Sequence, residues 1–264
     1  MNESALRRVE SGQAKSLTRL PFTLDSGLAP RGAIGLIVLA TDNTIEHEFR
    51  RMLAMDGIAF YETRIRNAAE INPATLAEME KGMAAAAGLI MPGVHLDVVA
   101  YGCTSGTVVI GEDKVFARIR EARPDVACTT PITGAIAGLK ALGASRVALL
   151  TPYIEEVNQM LRRFIEARGI AVPVMGSFNH ENDLEVARIS EASIKEAVHR
   201  LVAADRVDAV FVSCTSLRVA AIAEELEREV GVPVTSSNHA MAWHCLRLAG
   251  YGEPVSGFGS LFKV

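Results

Sequence analysis

The sequence predicts an α/β fold: two similar parallel-sheet lobes related by a pseudo-twofold axis, with the active site between them. Three observations carry this. From about residue 31 onward, short apolar runs alternate with helix-length segments bounded by capping residues. The runs are continuously apolar, as strands buried on both faces of a parallel sheet require. One stretch of the first half also returns in the second half, at the matching place.

The run 33–39, Ala-Ile-Gly-Leu-Ile-Val-Leu, opens the series. The polar turn Thr41-Asp42-Asn43-Thr44 follows and can cap a helix beginning near Ile45. Residues 58–62 read as a second strand. Asn72-Pro73 opens a helix through about residue 89, with proline near the first helical position. Strands at 98–101 and 126–129 flank a helix at 113–122, and a helix at 133–142 stops at Gly143. The second half repeats the alternation, with strands at 146–150, 171–175, 209–212 and 232–235. Its helices are expected at 154–167, 190–204, 218–230 and 240–249, with Gly169 and Gly231 closing the first and third. The domain organisation follows: an N-terminal extension at 1–30, a first lobe at 31–140, a second lobe at 141–250 and a C-terminal tail at 251–264. Exchange of end segments between the lobes is left open.

Composition narrows the function. The 264 residues are 49% apolar, enough for a sizeable core. The net charge of -4 is mild and both signs are interspersed, so there is no basic stripe for a nucleic-acid partner. No apolar run reaches the roughly 20 residues of a membrane span. The first 29 residues hold Arg7, Arg8, Lys15 and Arg19 without a continuous apolar stretch, unlike a secretory signal. Four cysteines without paired spacing point to reduced thiols and a cytoplasmic location. An apolar-rich chain of this kind is expected to form a homo-oligomer.

The repeat carries the chemistry. Residues 96–105 read Leu-Asp-Val-Val-Ala-Tyr-Gly-Cys-Thr-Ser, and residues 207–216 read Val-Asp-Ala-Val-Phe-Val-Ser-Cys-Thr-Ser. Each has an aspartate six residues before a Cys-Thr-Ser turn. The simplest account is two similar halves, each presenting a cysteine at the carboxyl end of a central strand, where open α/β sheets place ligands. Facing each other, Cys103 and Cys214 would flank one cleft as the catalytic pair. A strand-turn-helix junction offers backbone N–H groups to a carboxylate, and the same field lowers a thiol pKa. The hydroxyls of Thr104, Ser105, Thr215 and Ser216 can add donors to a small carboxylate substrate. A lone cysteine after an apolar strand is more often a small core residue, which is the reading for Cys128 and Cys245. A disulfide between Cys103 and Cys214 is disfavoured by the inferred compartment. No CxxC or HExxH accompanies the cysteines and His180, His239 and His244 are scattered, so no metal site is expected. No GxGxxG follows a strand, so no dinucleotide site is expected either.

The two motifs, Tyr101-Gly102-Cys103-Thr104-Ser105-Gly106-Thr107 and Ser213-Cys214-Thr215-Ser216-Leu217, resemble the maleate cis-trans isomerase and arylmalonate decarboxylase branch of the aspartate/glutamate racemase superfamily. Ectoine-utilisation-type members look closer still. The resemblance covers roughly residues 31 to 250. It implies a two-lobed fold, a site between the lobes and no metal or organic cofactor. In maleate isomerases the first-lobe cysteine adds to the alkene and the second moves a proton, roles that fall on Cys103 and Cys214. A substrate-binding asparagine after the first strand matches Asn43, and a substrate-contacting tyrosine matches Tyr153.

The chain departs from the family at two places. The family's second asparagine precedes a Glu-Val-(Gly/Ala)-Arg run. Here residues 179–188 read Asn-His-Glu-Asn-Asp-Leu-Glu-Val-Ala-Arg, which puts Asp183 where an amide is expected and Asn182 beside it. An acidic group there would repel a second carboxylate and counts against maleate itself. Arylmalonate decarboxylases also carry a small residue in place of the first cysteine, whereas this chain keeps Cys103. The expectation is therefore a cofactor-independent isomerase or racemase of a small carboxylate. The alternatives are an arylmalonate-type decarboxylase and a non-catalytic binding protein of the same form.

Overall fold

The computed structural model describes residues 19–180 and 182–264. Most of the N-terminal extension, including Arg7, Arg8 and Lys15, lies outside the described residues. Residues 19–30 are almost wholly exposed and form no helix or strand.

Two four-stranded sheets make the core. The first contains β1 (Gly32–Leu39), β2 (Ile58–Ile65), β3 (Val98–Tyr101) and β4 (Ala127–Thr129), in the order β2-β1-β3-β4. The second contains β5 (Arg146–Thr151), β6 (Ala171–Ser177), β7 (Ala209–Val212) and β8 (Val234–Ser236), in the order β6-β5-β7-β8. Every strand pairing within them is parallel. The two sheets thus share one order, as the repeat predicts. All eight residues of β1 are buried, as are all four of β3 and of β7. That burial is why these strands read as continuous apolar runs.

The repeated aspartates have a structural task. Asp97 accepts a hydrogen bond from the Ala33 amide at the start of β1 (2.7 Å). Asp208 accepts from the Ser145 and Arg146 amides at the start of β5 (2.9 and 2.8 Å). Each pins the strand beside its own, and so fixes the frame from which the cysteine turn projects.

The helices are α1 (Ile45–Met52), α2 (Pro73–Glu78), α3 (Met83–Leu89), α4 (Thr104–Ile110), α5 (Glu112–Ala122), α6 (Pro131–Ala141), α7 (Glu155–Glu166), α8 (Asp183–Val186), α9 (Glu191–Ala204), α10 (Ala223–Val230) and α11 (Ser237–Leu248). The main departures from expectation are four. The helix read over 73–89 is divided by a 3-10 turn at Met79–Gly82. Helix α4, which the sequence reading lacked, begins directly after Cys103 and ends at Gly111, whose φ of 94° no helix accepts. Helix α8 was likewise unforeseen and starts on the cap of Asn182, whose Oδ1 accepts from the Leu184 and Glu185 amides. Helix α10 starts at Ala223 rather than 218, because the Val219 and Ala220 amides donate instead to the buried Glu48 carboxylate (2.8 Å each).

Helix α11 follows β8 of the second sheet but packs on α6, α1 and β3. Gly134 makes the α6–α11 approach possible, since a Cβ there would sit 2.7 Å from the Ala240 carbonyl oxygen. The end of the second half is therefore packed against the first.

Candidate functional site

Both cysteine turns open onto one pocket between the sheets. Its wall includes Cys103, Thr104 and Ser105 from the first turn, Cys214 and Thr215 from the second, and Tyr153 and Asp183. Leu39, residues of the β2–α2 connection, among them Asn67, Glu70 and Ile71, and Met79 of the turn after α2 complete it. The cavity volume is about 410 Å³. Two loops roof the pocket from opposite lobes: Glu70 and Asn182 form an isolated antiparallel bridge, and the Asp183 amide donates to the Ala69 carbonyl (3.2 Å).

Each thiol sits two residues past its central strand, and each sulfur is met by a backbone amide. Gly106 N–H donates to Cys103 Sγ (3.2 Å), and Ser216 N–H lies 3.5 Å from Cys214 Sγ. Gly106 is a packing requirement here, because a Cβ would come within 2.8 Å of Cys103 Sγ, Met79 Cε and the Tyr101 hydroxyl oxygen. Cys214 adopts φ 146°, a strained region for a residue with a Cβ. Its amide donates to Ser237 Oγ (2.9 Å), which also pairs with Thr104 Oγ1 (2.8 Å). Ser237, the first residue of α11, therefore ties the two cysteine turns together. Sequence reading missed it, because nothing in a strand-to-helix junction 23 residues downstream marks it as a neighbour.

The electrostatics differ from expectation. A lowered thiol pKa was predicted from a helix terminus behind each cysteine. Helix α4 is short and no helix follows Cys214 until Ala223, while both thiols are only 4% exposed. Burial pushes Cys103 up to about 11, opposed by the Gly106 amide and reinforced by the charge of Asp183. Cys214 is also pushed up, by burial and then by Asp183. Burial holds the Tyr153 hydroxyl well above its ordinary value too. All four cysteines of the chain are free.

The predicted polar contacts divide. Thr104, Ser105, Tyr153, Thr215 and Asp183 line the pocket. Asn43 does not: it is exposed, and its Oδ1 meets only the Thr44 hydroxyl (3.3 Å). The buried carboxylate of that turn is Asp42, whose Oδ1 accepts from the Thr44 and Ile45 amides (2.8 and 2.9 Å). Two charge-assisted bonds to the helix start hold Asp42 inward and leave its neighbour in solvent. Asn182 is spent as an exposed cap and Ser216 stands behind the wall, donating to Asp183 Oδ1 (2.7 Å). Asp183 Oδ2 accepts from Thr41 Oγ1 (2.6 Å). Burial raises Asp42 to about 6 and Glu48 to about 7, the latter against hydrogen bonds from Asn238, Ala220 and Val219. Among the described residues, no three His, Cys, Asp or Glu side chains are grouped so as to hold a metal ion. No helix among them is long and apolar enough to cross a membrane.

Two parallel α/β lobes that bring a cysteine turn each to one pocket define a protein of the aspartate/glutamate racemase-like superfamily. Within it, residues 34–262 match the arylmalonate decarboxylase family, and the chain belongs to that family. It is 37% identical to the arylmalonate decarboxylase of Bordetella bronchiseptica over 137 residues, 51% of this chain and 57% of that protein. It is 27% identical to the maleate isomerase of Nocardia farcinica over 241 residues, 87% of this chain and 95% of that one. A solved structure of Nocardia farcinica maleate cis-trans isomerase, a cysteine-to-serine variant with a covalently bound succinylcysteine intermediate, superimposes with a TM-score of 0.78 at 26% identity, covering 88% of this chain and 98% of that one. The maleate isomerase Iso from Pseudomonas putida S16 superimposes with a TM-score of 0.80 at 22% identity over 88% of this chain and 98% of that one, a likeness of fold.

Proposed function

We propose that this chain is a cofactor-independent isomerase or racemase of a small carboxylate, with Cys103 and Cys214 as its two reacting groups. One observation carries the reading: the two turns of the internal repeat face a single pocket with hydroxyl donors beside each thiol. In the proposed chemistry one sulfur, as thiolate, takes a proton from or adds to the reacting carbon. The other thiol serves the opposite face. Thr104, Ser105 and Thr215 supply hydroxyls to the substrate carboxylate, and Tyr153 adds a protonated one beside Cys214.

The test is substitution. Cys103→Ala and Cys214→Ala are each expected to lower turnover by at least about a hundredfold, the scale of losing a general acid or base, with folding retained. Cys128→Ala, at a residue that does not line the pocket, is expected to leave turnover unchanged. Near-native turnover by either pocket variant would defeat the two-thiol reading. A non-catalytic binding protein would bind its carboxylate equally well with serine at both positions. Turnover is further expected to survive exhaustive chelation without added nucleotide, flavin or pyridoxal cofactor. Loss that one metal restores would contradict this.

Decarboxylation is the second reading, favoured by the 37% identity to a decarboxylase. It needs a single proton donor, because departing CO2 leaves a carbanion on one face. Two thiols on one pocket speak for a two-faced reaction.

A further inference from the structure

The first sheet has an open edge. Among the edge strands of the two sheets, β4 and β8 are three residues long and β6 carries Pro173. Shortness and proline both discourage pairing with another chain. Strand β2 has neither defence: it runs for eight residues without proline or glycine. Gly32 N–H donates to the Gly57 carbonyl and Ala40 N–H to the Ile65 carbonyl, so the odd-numbered residues of β2 turn their backbone groups toward β1. The even-numbered ones turn theirs outward. Those of Phe60 and Glu62 meet no backbone partner among the described residues. A groove follows this edge. Phe60 forms one side, against Phe49 and beneath the Arg50 guanidinium. Tyr61, Leu89 and Met91 form the other, with Leu89 71% and Met91 39% exposed.

The segment before β1 has the complementary form. Residues 20–25 read Leu-Pro-Phe-Thr-Leu-Asp, apolar at every second position as a strand requires. Leu20, Phe22 and Leu24 are 62%, 82% and 88% exposed. With Leu28, this arm and the groove hold six of the ten large apolar side chains that are exposed among the described residues. Such residues scattered singly need no partner, whereas clusters mark a contact surface. The arm precedes residues 34–262, which the family shares. It therefore stands outside the fold of the lobes.

We infer that the arm pairs with the open edge of β2 in a second copy of this chain, and that the second copy returns the exchange. Pro21 decides which way the arm faces. It has no N–H, so its backbone points to solvent and the amides of Leu20, Phe22 and Leu24 point to β2. Arg31 N–H also donates to the Gly57 carbonyl, so the arm leaves the lobe at the start of β2 and enters the partner's edge antiparallel. With Phe22 opposite Phe60, the three apolar side chains cover the Phe60–Arg50 side. Pro21 then falls opposite Tyr61, on the Leu89–Met91 side. Both sides of the groove are filled, and Pro21 closes the new edge to any further strand. A single copy leaves the arm and the groove in water. A twofold pair covers each of them twice and stops the association at two.

The experiment compares the full chain with its Phe22→Asp, Leu24→Asp double variant. Both substitutions fall on exposed residues, so the lobes keep their packing, which circular dichroism checks. Sedimentation velocity over a wide range of concentration reads the oligomer, and hydrogen exchange with mass spectrometry reads the β2 amides. We expect a dimer with the Phe60 and Glu62 amides protected. The variant is expected to dissociate at a concentration at least about a hundredfold higher, with those amides exchanging faster. A dimer that survives in the variant would overturn the role of the arm. A dimer that is lost while β2 exchanges equally in both proteins would overturn the β2 edge as its seat. A monomeric wild type whose β2 protection depends on the arm would mean that the arm folds onto its own copy, and would overturn the second copy as occupant. A monomeric wild type with freely exchanging β2 would overturn the pairing altogether.

Discussion

Cys214 shows what the site demands of a residue. Its φ of 146° is a conformation that glycine tolerates and a side chain does not, at a cost of about 1–3 kcal/mol. The strain persists because the Cys214 amide is fixed on Ser237 and the loop beyond on Glu48. Burial pushes both thiols up, Cys103 to about 11. Thiolate is the form that alkylates. Iodoacetamide modification of unliganded Cys103 is therefore expected to rise about tenfold per pH unit between pH 7 and 10, since the thiolate fraction does so below the pKa. Mass spectrometry of the modified peptide measures this; a plateau below pH 8 would mean that a thiolate is already present. The cysteine pair and Asp183 were legible in the sequence, because a repeated motif and a misfit acid in a familiar segment stand out. Asn43 was not. In Thr41-Asp42-Asn43-Thr44 every side chain can cap a helix, and only packing decides that Asp42 turns inward.

At the scale of elements, the site is a meeting of turns held by distant groups. Glu48 on α1 accepts from Val219, Ala220 and Asn238, and so binds the Cys214 loop to α1 and α11. Helix α4 wraps the other thiol, with Gly106 as the residue that lets it close. Gly106→Ala is expected to lower turnover at least about tenfold and stability by roughly 1–3 kcal/mol, the range of overpacked interiors. Steady-state kinetics with urea unfolding checks both, and an unchanged kcat would mean that α4 can shift without moving the thiol. Strands β1, β3 and β7 were legible because burial on both faces leaves no polar alternation to misread. Helices α4 and α8 were not, since Thr-Ser-Gly-Thr has weak helix propensity and α8 spans four residues. The late start of α10 depends on Glu48, which lies 171 positions away in sequence and leaves no local trace.

Over the whole molecule, two buried carboxyl groups set a pH dependence. Asp42 and Glu48 are raised by burial from 3.8 to about 6 and from 4.5 to about 7. A raised carboxyl favours the folded state while both states are protonated, below its ordinary pKa. That contribution is lost as pH rises through the folded value. The two groups therefore make the protein lose stability between about pH 4 and 7. Glu48→Gln is expected to flatten that slope by up to about 3 kcal/mol. Urea unfolding of both proteins at pH 5 and 8 measures the difference, and parallel curves would mean that Glu48 titrates normally.

The central claim is that two thiols from equivalent turns serve opposite faces of one carbon. Enantiomer-resolved deuterium exchange by Cys103→Ala and Cys214→Ala tests it most directly. Each variant keeps one thiol. One is expected to exchange the proton on the reacting carbon of one enantiomer with retention, the other that of its mirror image, and neither to interconvert the two at more than about a hundredth of the native rate. Exchange of the same enantiomer by both variants, or racemisation by either at a near-native rate, would contradict the account.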